Sequence, residues 1–526
     1  MKIWVVSMEC AGLAEAGGVK NVTHSLCQEF ANKNNEVTLF TPIFGCTNFD
    51  SIENYQEENI PQVKIDMCDK PEYISYSSGT LKNTKVKVVF INHKSFSEKK
   101  AVYVYTEEEE KANPENKKGT GHKDSLFLDT LLSKAVAEYG KFIDINELPD
   151  IIHCHDASTA ITPAYAKNQY PELYNNTKCV VTIHNAGPAY HHEFIDFGQA
   201  KYYTHLDNFI LENSNNNGRI EPFLIAAQYS KLTTVSSYYA EELTNPKNND
   251  ITDGLANIFY QKQIPIFGIT NGIDFERYNP KNKKQSLLPY EFDCTTGQLK
   301  GKTQCREFFL SQIEQDNLSN NFYFDELIKY GYIEKPKDES KTIYFSYHGR
   351  VVYQKGINLL EDVVGKIINF NENSRLIIMG QGDKELEYKT EKLTQVYPGK
   401  ILYLKGYNQA CARLVLAATD FCIIPSHFEP CCLEDFISQI YGTLPIAHRT
   451  GGLNKIIDES TGFTYYPNTP DVIENKIIDV SNKFITNKDK INQMIVFAAN
   501  YVKDNYAWSE IVKKYLSFFE KILKSC

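Results

Sequence analysis

One pattern occurs twice in this chain, and it constrains the fold more than any other feature. Short apolar, β-branched runs alternate with helix-length segments, first at Lys2–Val6, Glu36–Phe40, Val86–Ile91, Asp150–His155, Cys179–His184 and Leu232–Ser236. After a polar stretch the pattern restarts at Ile343–Tyr347, Arg375–Gly380, Ile401–Gly406, Phe421–Ser426, Leu444–His448 and Gly462–Tyr466. Runs that are apolar throughout belong to parallel strands covered on both faces. Two such series predict two doubly wound α/β domains. The expected division is 1–265, completed by 500–526, for the first domain and 266–499 for the second.

Three segments read as solvated insertions without functional weight: Ser95–His122 with its acidic run Glu107–Glu110, Asn213–Gly218 and Asp316–Ser340. From Trp508 onward, Ile511, Val512, Tyr515, Leu516, Phe519, Ile522 and Leu523 recur at helical spacing with lysines opposite. This last helix is expected to pack back on the first domain.

Composition narrows the partners. With 66 acidic and 56 basic side chains the formal charge is −10, which argues against a nucleic-acid or other polyanion surface but leaves room for a local anion site. Hydrophobic residues at 42% and aromatics at 13% are enough for large cores and exclude wholesale disorder. The 13 cysteines show no CxxC or metal-framing spacing and read as reduced thiols of a cytoplasmic protein. No apolar run is long enough to cross a bilayer, and MKIWVVSMEC reads as a strand, not a cleavable signal.

In doubly wound sheets ligands bind beyond the carboxyl ends of the strands, here in an expected crevice between the domains. The first strand leads into Cys10-Ala-Gly-Leu-Ala-Glu15-Ala-Gly17-Gly18-Val-Lys20-Asn21. Two glycines opening a helix turn backbone N–H groups toward an anion, although a plain tight turn fits equally well. In the second domain Gly349-Arg350 continues to Lys355-Gly356, placing two fixed cations beside a turn suited to a diphosphate. Pro425–Leu433, with Glu429, Cys431 and Cys432, and Arg449-Thr450-Gly451-Gly452 each follow a predicted strand. Their amides and the carboxylate are expected to face the crevice. His153-x-His155 puts two imidazoles on one strand face, but no third ligand has sensible spacing and no D-x-D occurs, so no metal is assigned. His191–His192 reads as a loop feature, and Gly380-Gln-Gly382 lacks the rest of a dinucleotide fingerprint.

R-x4-K, F-E-P and T-G-G appear in order after their strands, together with HCHD (His153–Asp156), TIHN (Thr182–Asn185), LTTVS (Leu232–Ser236), GITNGID (Gly268–Asp274), HGRVVYQKG (His348–Gly356) and YGTLPIAHRTGGL (Tyr441–Leu453). In these the chain resembles, over nearly its whole length, the bacterial glycogen synthases and plant-type starch synthases, retaining glucosyltransferases of the GT-B fold. The resemblance implies two Rossmann-like domains with a cleft between them, the first on the acceptor side and the second on the donor side. It implies transfer of glucose from a nucleotide-glucose, ADP-glucose favoured over UDP-glucose, to the non-reducing end of an α-1,4-glucan, without cofactor or metal. Arg350 and Lys355 would hold the donor phosphates, Glu429 and His184 the transferred glucose. Gly17, Gly18, Asn271, Cys431, Cys432, Leu433, Thr450, Gly451 and Gly452 would complete the donor site, and Asp156, Asn185 and Asn21 the sugar side. Ile437 stands where many other retaining GT-B enzymes carry a second glutamate, which favours the glucan-synthase branch. The alternatives are a retaining transferase for a small acceptor and a catalytically weak glucan-binding homologue.

The chain departs from that family at four places. Glu15 replaces the usual lysine of the first glycine loop. A carboxylate ~5 Å from a phosphate charge would cost about 3 kcal/mol at an effective dielectric near 20, so Glu15 either turns away or contacts sugar hydroxyls, or Lys20 supplies the missing charge. Cys432 replaces a glycine, at a cost of about 1–2 kcal/mol if its φ is positive. Asn21 replaces an aspartate, and the usual acceptor-side segment is unrecognisable within Ser95–His122.

Overall fold

The computed structural model describes residues 1–314, 321–336 and 338–525; Asp316–Asn320 and Lys337 of the third insertion lie outside the described residues. The chain forms two compact units, Met1–Asn271 with Ile511–Cys526, and Gly272–Glu510.

In chain order the first unit contributes β1 (Lys2–Val6), β2 (Glu36–Pro42), β3 (Ile52–Glu57), β4 (Val63–Met67), β5 (Lys70–Leu81), β6 (Lys87–Asn92), β7 (Ile151–His155) and β8 (Lys178–Ile183). A small ribbon of β9 (Asn215–Asn216) and β10 (Arg219–Ile220) follows, then β11 (Lys231–Thr234) and β12 (Ile266–Gly268). The main sheet runs β12-β11-β8-β7-β1-β2-β6-β5-β3, with β4 paired to β5. It is parallel from β12 to β6, and β3, β4 and β5 extend it antiparallel. The central strands are buried on both faces, every residue of β7 included, which is why their sequences read as uninterrupted apolar runs. The antiparallel margin was not legible in that way. Val63, Ile65 and Met67 of β4 alternate with exposed residues, the signature of a sheet with one wet face.

The second unit contains β13 (Ile328–Gly331), β14 (Ile343–His348), β15 (Ser374–Gly380), β16 (Ile401–Lys405), β17 (Phe421–Ile424), β18 (Leu444–His448) and β19 (Phe463–Tyr465). Their order is β13-β16-β15-β14-β17-β18-β19, all parallel except β13. The order reverses at β14, whose neighbours are β15 on one side and β17 on the other, so the ends of β14 and β17 flank a topological switch point.

The units divide at Asn271/Gly272 and Glu510/Ile511, whereas the sequence reading divides them at 265/266 and 499/500. Pairing of β12 with β11, Leu232 opposite Ile266, keeps residues 266–271 with the first sheet. At the other boundary, Ile491, Met494, Ile495, Ala498 and Val502 of the helix Lys488–Tyr506 belong to the second core. The next helix, Trp508–Lys524, enters the first unit at Ile511. Its Tyr515 and Phe519 rings lie 6.2 and 5.6 Å from Phe30 and 5.5 and 5.7 Å from His153.

The insertions carry more structure than a loop reading allows. Glu107–Glu110 opens the helix Glu107–Ala112, whose N-cap Thr106 and Glu109 form a capping box; carboxylates in a first turn also suit the helix dipole. Asn215 and Asn216 of the asparagine-rich segment form one arm of the small ribbon. Among the described residues no helix is long and apolar enough to cross a membrane.

Candidate active site

In the first unit the expected residues gather beyond the ends of β1, β7 and β8. Asp156 follows β7 with φ 62° and ψ 178°, a region that costs a non-glycine residue about 1–3 kcal/mol. Its own N–H donates to the Thr182 carbonyl at 2.9 Å. Its Oδ1 accepts the His184 N–H at 2.7 Å, and the Asn185 amide also faces the carboxylate. Burial pushes the Asp156 carboxyl up to about 7, against the pull of those amides. Asn185 Oδ1 accepts the Gly187 N–H at 2.8 Å. Asp156, His184 and Asn185 thus form one cluster.

Behind this cluster lies a line of three buried histidines that the sequence did not connect. His155 Nδ1 is 2.8 Å from His184 Nε2, and His153 Nε2 is 2.7 Å from Thr182 Oγ1, which in turn lies 2.8 Å from Thr233 Oγ1. Burial holds His153 and His184 down at about 3 and His155 well below its usual range, so all three are neutral. Nδ1 of His153 and Nε2 of His155 are buried without a partner. As bare acceptors they leave no N–H orphaned. His155 then donates from Nδ1 to His184, and the proton of neutral His184 sits on its Nδ1.

The glycine loop is filled by the chain's own carboxylate. Glu9, 1% exposed, accepts the N–H groups of Ala16 and Gly17 on Oε2 at 2.9 and 2.7 Å, and burial pushes its carboxyl up. The expectation that the Gly17 amide stands open to a donor phosphate is corrected: that amide is already spent. Gly18, with nothing near the place of a Cβ, precedes the helix Val19–Asn32, which carries Lys20 and Asn21. Glu15 accepts the Gly12 N–H on Oε1 at 2.7 Å and pairs through Oε2 with Lys20 Nζ at 2.8 Å. Lys20 is therefore no unpaired replacement for the missing lysine. Asn271, the last residue of this unit's main segment, keeps Oδ1 buried without a partner.

In the second unit the turns after β14, β17 and β18 interlock. Lys355 closes the short turn Tyr353–Lys355, and its Nζ donates to Glu429 Oε2, which also accepts from Ser426 Oγ at 3.2 Å. Burial alone would lower the Lys355 ammonium; Glu429 beside it reverses the sign and holds it at about 12. Gly356, with φ 70°, lies so close to the Pro425 carbonyl that a Cβ would stand 1.9 Å from its oxygen. Arg350 is exposed and reaches Gln354 Oε1 at 3.3 Å, and Gln354 in turn donates to the Phe428 carbonyl.

The Glu429 loop is locked to the threonine-glycine turn. Gly452 donates its N–H to the Glu429 carbonyl at 2.8 Å, and a Cβ there would lie 2.1 Å from the Cys431 oxygen. The expected role of the Gly452 amide as an open donor is therefore corrected too. Thr450 Oγ1 contacts the His427 carbonyl at 3.4 Å, and Gly451 has φ 42°. Cys432 has φ 62°, so the strained alternative for this non-glycine residue holds. Leu433 precedes the helix Glu434–Ile440. Buried Lys455 donates to the carbonyls of Cys431, Cys432 and Gly452 at 2.6, 3.1 and 3.1 Å and pairs with Asp435 at 2.9 Å. Neither Lys455 nor Asp435 was found by sequence reasoning, because nothing local marks a lysine that satisfies carbonyls of another loop. His348 Nδ1, at the end of β14, likewise pairs with Glu434 at 3.0 Å.

Two parallel-sheet units, with a lysine–carboxylate pair and tight turns at the switch point of the second, define a GT-B glycosyltransferase. The family model "Starch synthase catalytic domain" matches residues 2–259, and "Glycosyl transferases group 1" matches residues 332–496. The chain is 28% identical to the glycogen synthase of Thermodesulfovibrio yellowstonii, covering 99% of this chain and 98% of that one. It is 26% identical to the glycogen synthase of Elusimicrobium minutum, covering 99% and 100%. The catalytic domain of starch synthase IV from Arabidopsis thaliana, solved with ADP and acarbose, shares its fold at a TM-score of 0.78 and 22% identity over 100% of this chain and 99% of that one. This chain belongs to the starch and glycogen synthase family.

Proposed function

We propose that this protein is a cytoplasmic glycogen or starch synthase that transfers glucose from ADP-glucose to the non-reducing end of an α-1,4-glucan with retention of configuration. The observation that carries the reading is the Lys355–Glu429 pair at the switch point of the second unit. Family membership, the likeness to glycogen synthases over the full chain, and the likeness to a starch synthase solved with ADP and acarbose support it.

In this reading Arg350 and Lys355 take the charge that develops on the departing nucleoside diphosphate. Glu429 keeps Lys355 an ammonium throughout, since an ammonium held at about 12 does not deprotonate near neutrality. Two fixed cations do the work a divalent ion does in other transferases, so neither metal nor cofactor is needed for the transfer. His184 presents Nδ1–H as a donor to a sugar hydroxyl, and its carbonyl is available near the anomeric centre. Asp156, Asn185 and Asn21 serve the sugar side, and Asn271 serves the donor. Cys431–Leu433 and Thr450–Gly451 supply the remaining polar contacts to donor phosphate and sugar.

The test is incubation of the purified protein with ADP-glucose or UDP-glucose and glycogen. Elongation of glycogen, faster with ADP-glucose, supports the proposal. Transfer only to small acceptors indicates a different retaining transferase, and glucan binding without turnover indicates a non-catalytic homologue.

A further inference from the structure

The loop after β8 and the N-cap of the helix Pro222–Ala227 share a second cluster that the transfer chemistry does not use. His191, Glu193 and Glu221 each place one potential ligand atom within 4.8 Å of the others. His191 is 1% exposed and Glu221 fully buried. His191 Nε2 lies 2.9 Å from the Ala186 carbonyl, a partner that can only accept, so this nitrogen carries a proton. His191 Nδ1 lies 2.7 Å from Glu221 Oε2, while Glu221 Oε1 is taken by the Phe223 N–H at 3.1 Å. Glu193 is held through Oε1 by Arg219, which also reaches Asp253 Oδ2 at 3.2 Å, and its Oε2 is buried with no partner.

His191 and Glu221 therefore each have one atom fixed from outside, by a carbonyl and by an amide, and another turned toward the other, while Glu193 has one oxygen held by a guanidinium and its second oxygen buried and unpartnered. An imidazole anchored through its second nitrogen to a carbonyl, with carboxylates anchored through their second oxygens, is the outer support that orients metal ligands. The atoms available are one nitrogen and two carboxylate oxygens, a set that suits a borderline first-row divalent ion such as Zn²⁺ or Co²⁺. His191 and Glu193 also line a cavity of about 480 Å³ together with Tyr103, His122 and Asp129, which offers an entry path and room for water as a further ligand.

We propose that His191, Glu193 and Glu221 bind one divalent transition-metal ion, which braces the loop carrying His184 and Asn185 against the start of the helix Pro222–Ala227. Without the ion, a proton on His191 Nδ1 bridges to Glu221. On binding, Nδ1 gives up that proton and donates its lone pair to the metal, so one H⁺ is released per ion and affinity rises with pH. Through Ala186, two residues beyond His184, the ion would fix the path of the loop without taking part in glucosyl transfer.

The test uses untagged full-length protein, dialysed against chelator and titrated with Co²⁺ in the absence of substrate. The expected result is one Co²⁺ per chain with visible d–d absorption and no near-ultraviolet thiolate band, since the chain also has 13 cysteines. Glu193→Gln should bind at least tenfold more weakly while melting, metal-free, at the wild-type temperature. Glu221→Gln serves as a second ligand variant if it folds. No binding at 100-fold excess Co²⁺, a thiolate band, or unchanged affinity in Glu193→Gln overturns the proposal.

Discussion

Nζ of Lys355 donates to Oε2 of Glu429 and so joins the turn after β14 to the loop after β17. Burial by itself would push this ammonium down, and the carboxylate is what holds it at about 12. In Glu429→Gln the desolvation remains and the attraction is gone, so the lysine pKa falls. The alkaline limb of kcat/KM should then move to lower pH by at least one unit, on top of any loss of rate at neutrality. Lys355→Ala should lose about 10³-fold in kcat, on the scale of removing one preorganised transition-state partner. A Glu429→Gln profile whose alkaline limb coincides with that of the wild type would contradict the role given to the pair.

Glu15 and Lys20 form a locally neutral pair, 2.8 Å apart and partly exposed. Removing only the cation leaves Glu15 to repel a donor phosphate, whereas removing both restores neutrality. Lys20→Gln should raise the KM for ADP-glucose several-fold, and Glu15→Gln/Lys20→Gln should return it to within about twofold of wild type. If the double variant stays as weak as the single one, Lys20 contacts the donor directly.

Cys432 sits at φ 62°, where an L residue with a Cβ is strained. Comparing glycine with alanine at this position separates backbone strain from loss of the thiol. Cys432→Gly should be more stable than Cys432→Ala by about 1 kcal/mol in denaturant unfolding. Equal stabilities would show that the turn relaxes around the side chain.

His153 is held neutral by burial, with its pKa at about 3 against an ordinary value of 6.5. Between those values the unfolded chain binds a proton that the folded chain refuses. The stability present above pH 6.5 is therefore lost as the pH falls toward 3, by up to about 1.4 kcal/mol per pH unit. His153→Gln should show a shallower decline between pH 6.5 and 4 than the wild type, read from chemical denaturation at each pH. An unchanged slope would place the proton elsewhere.

What could be read from sequence follows from how local each signal is. Arg350, Lys355 and Glu429 stand at fixed distances after apolar strands, and the structure puts the last two in contact. The parallel strands are continuous apolar runs because helices cover both their faces, while β3 is largely exposed and β4 is wet on one side, so neither is an apolar run. Gly17 and Gly452 were misread for one reason: a glycine-rich turn announces backbone amides but not what fills them, and Glu9 and the Glu429 carbonyl fill these two. The link from His155 to His184 and the Lys455–Asp435 pair depend on partners brought together by folding, so spacing along the chain shows only the His153-x-His155 half of the histidine line.

The most direct measurement follows ¹⁴C-glucose from ADP-glucose into glycogen and then digests the product with β-amylase. Label is expected in the polymer, released by β-amylase as maltose, with Lys355→Ala incorporating almost none. Binding of glycogen with no label incorporated, or label found only on small acceptors, would contradict the proposed function.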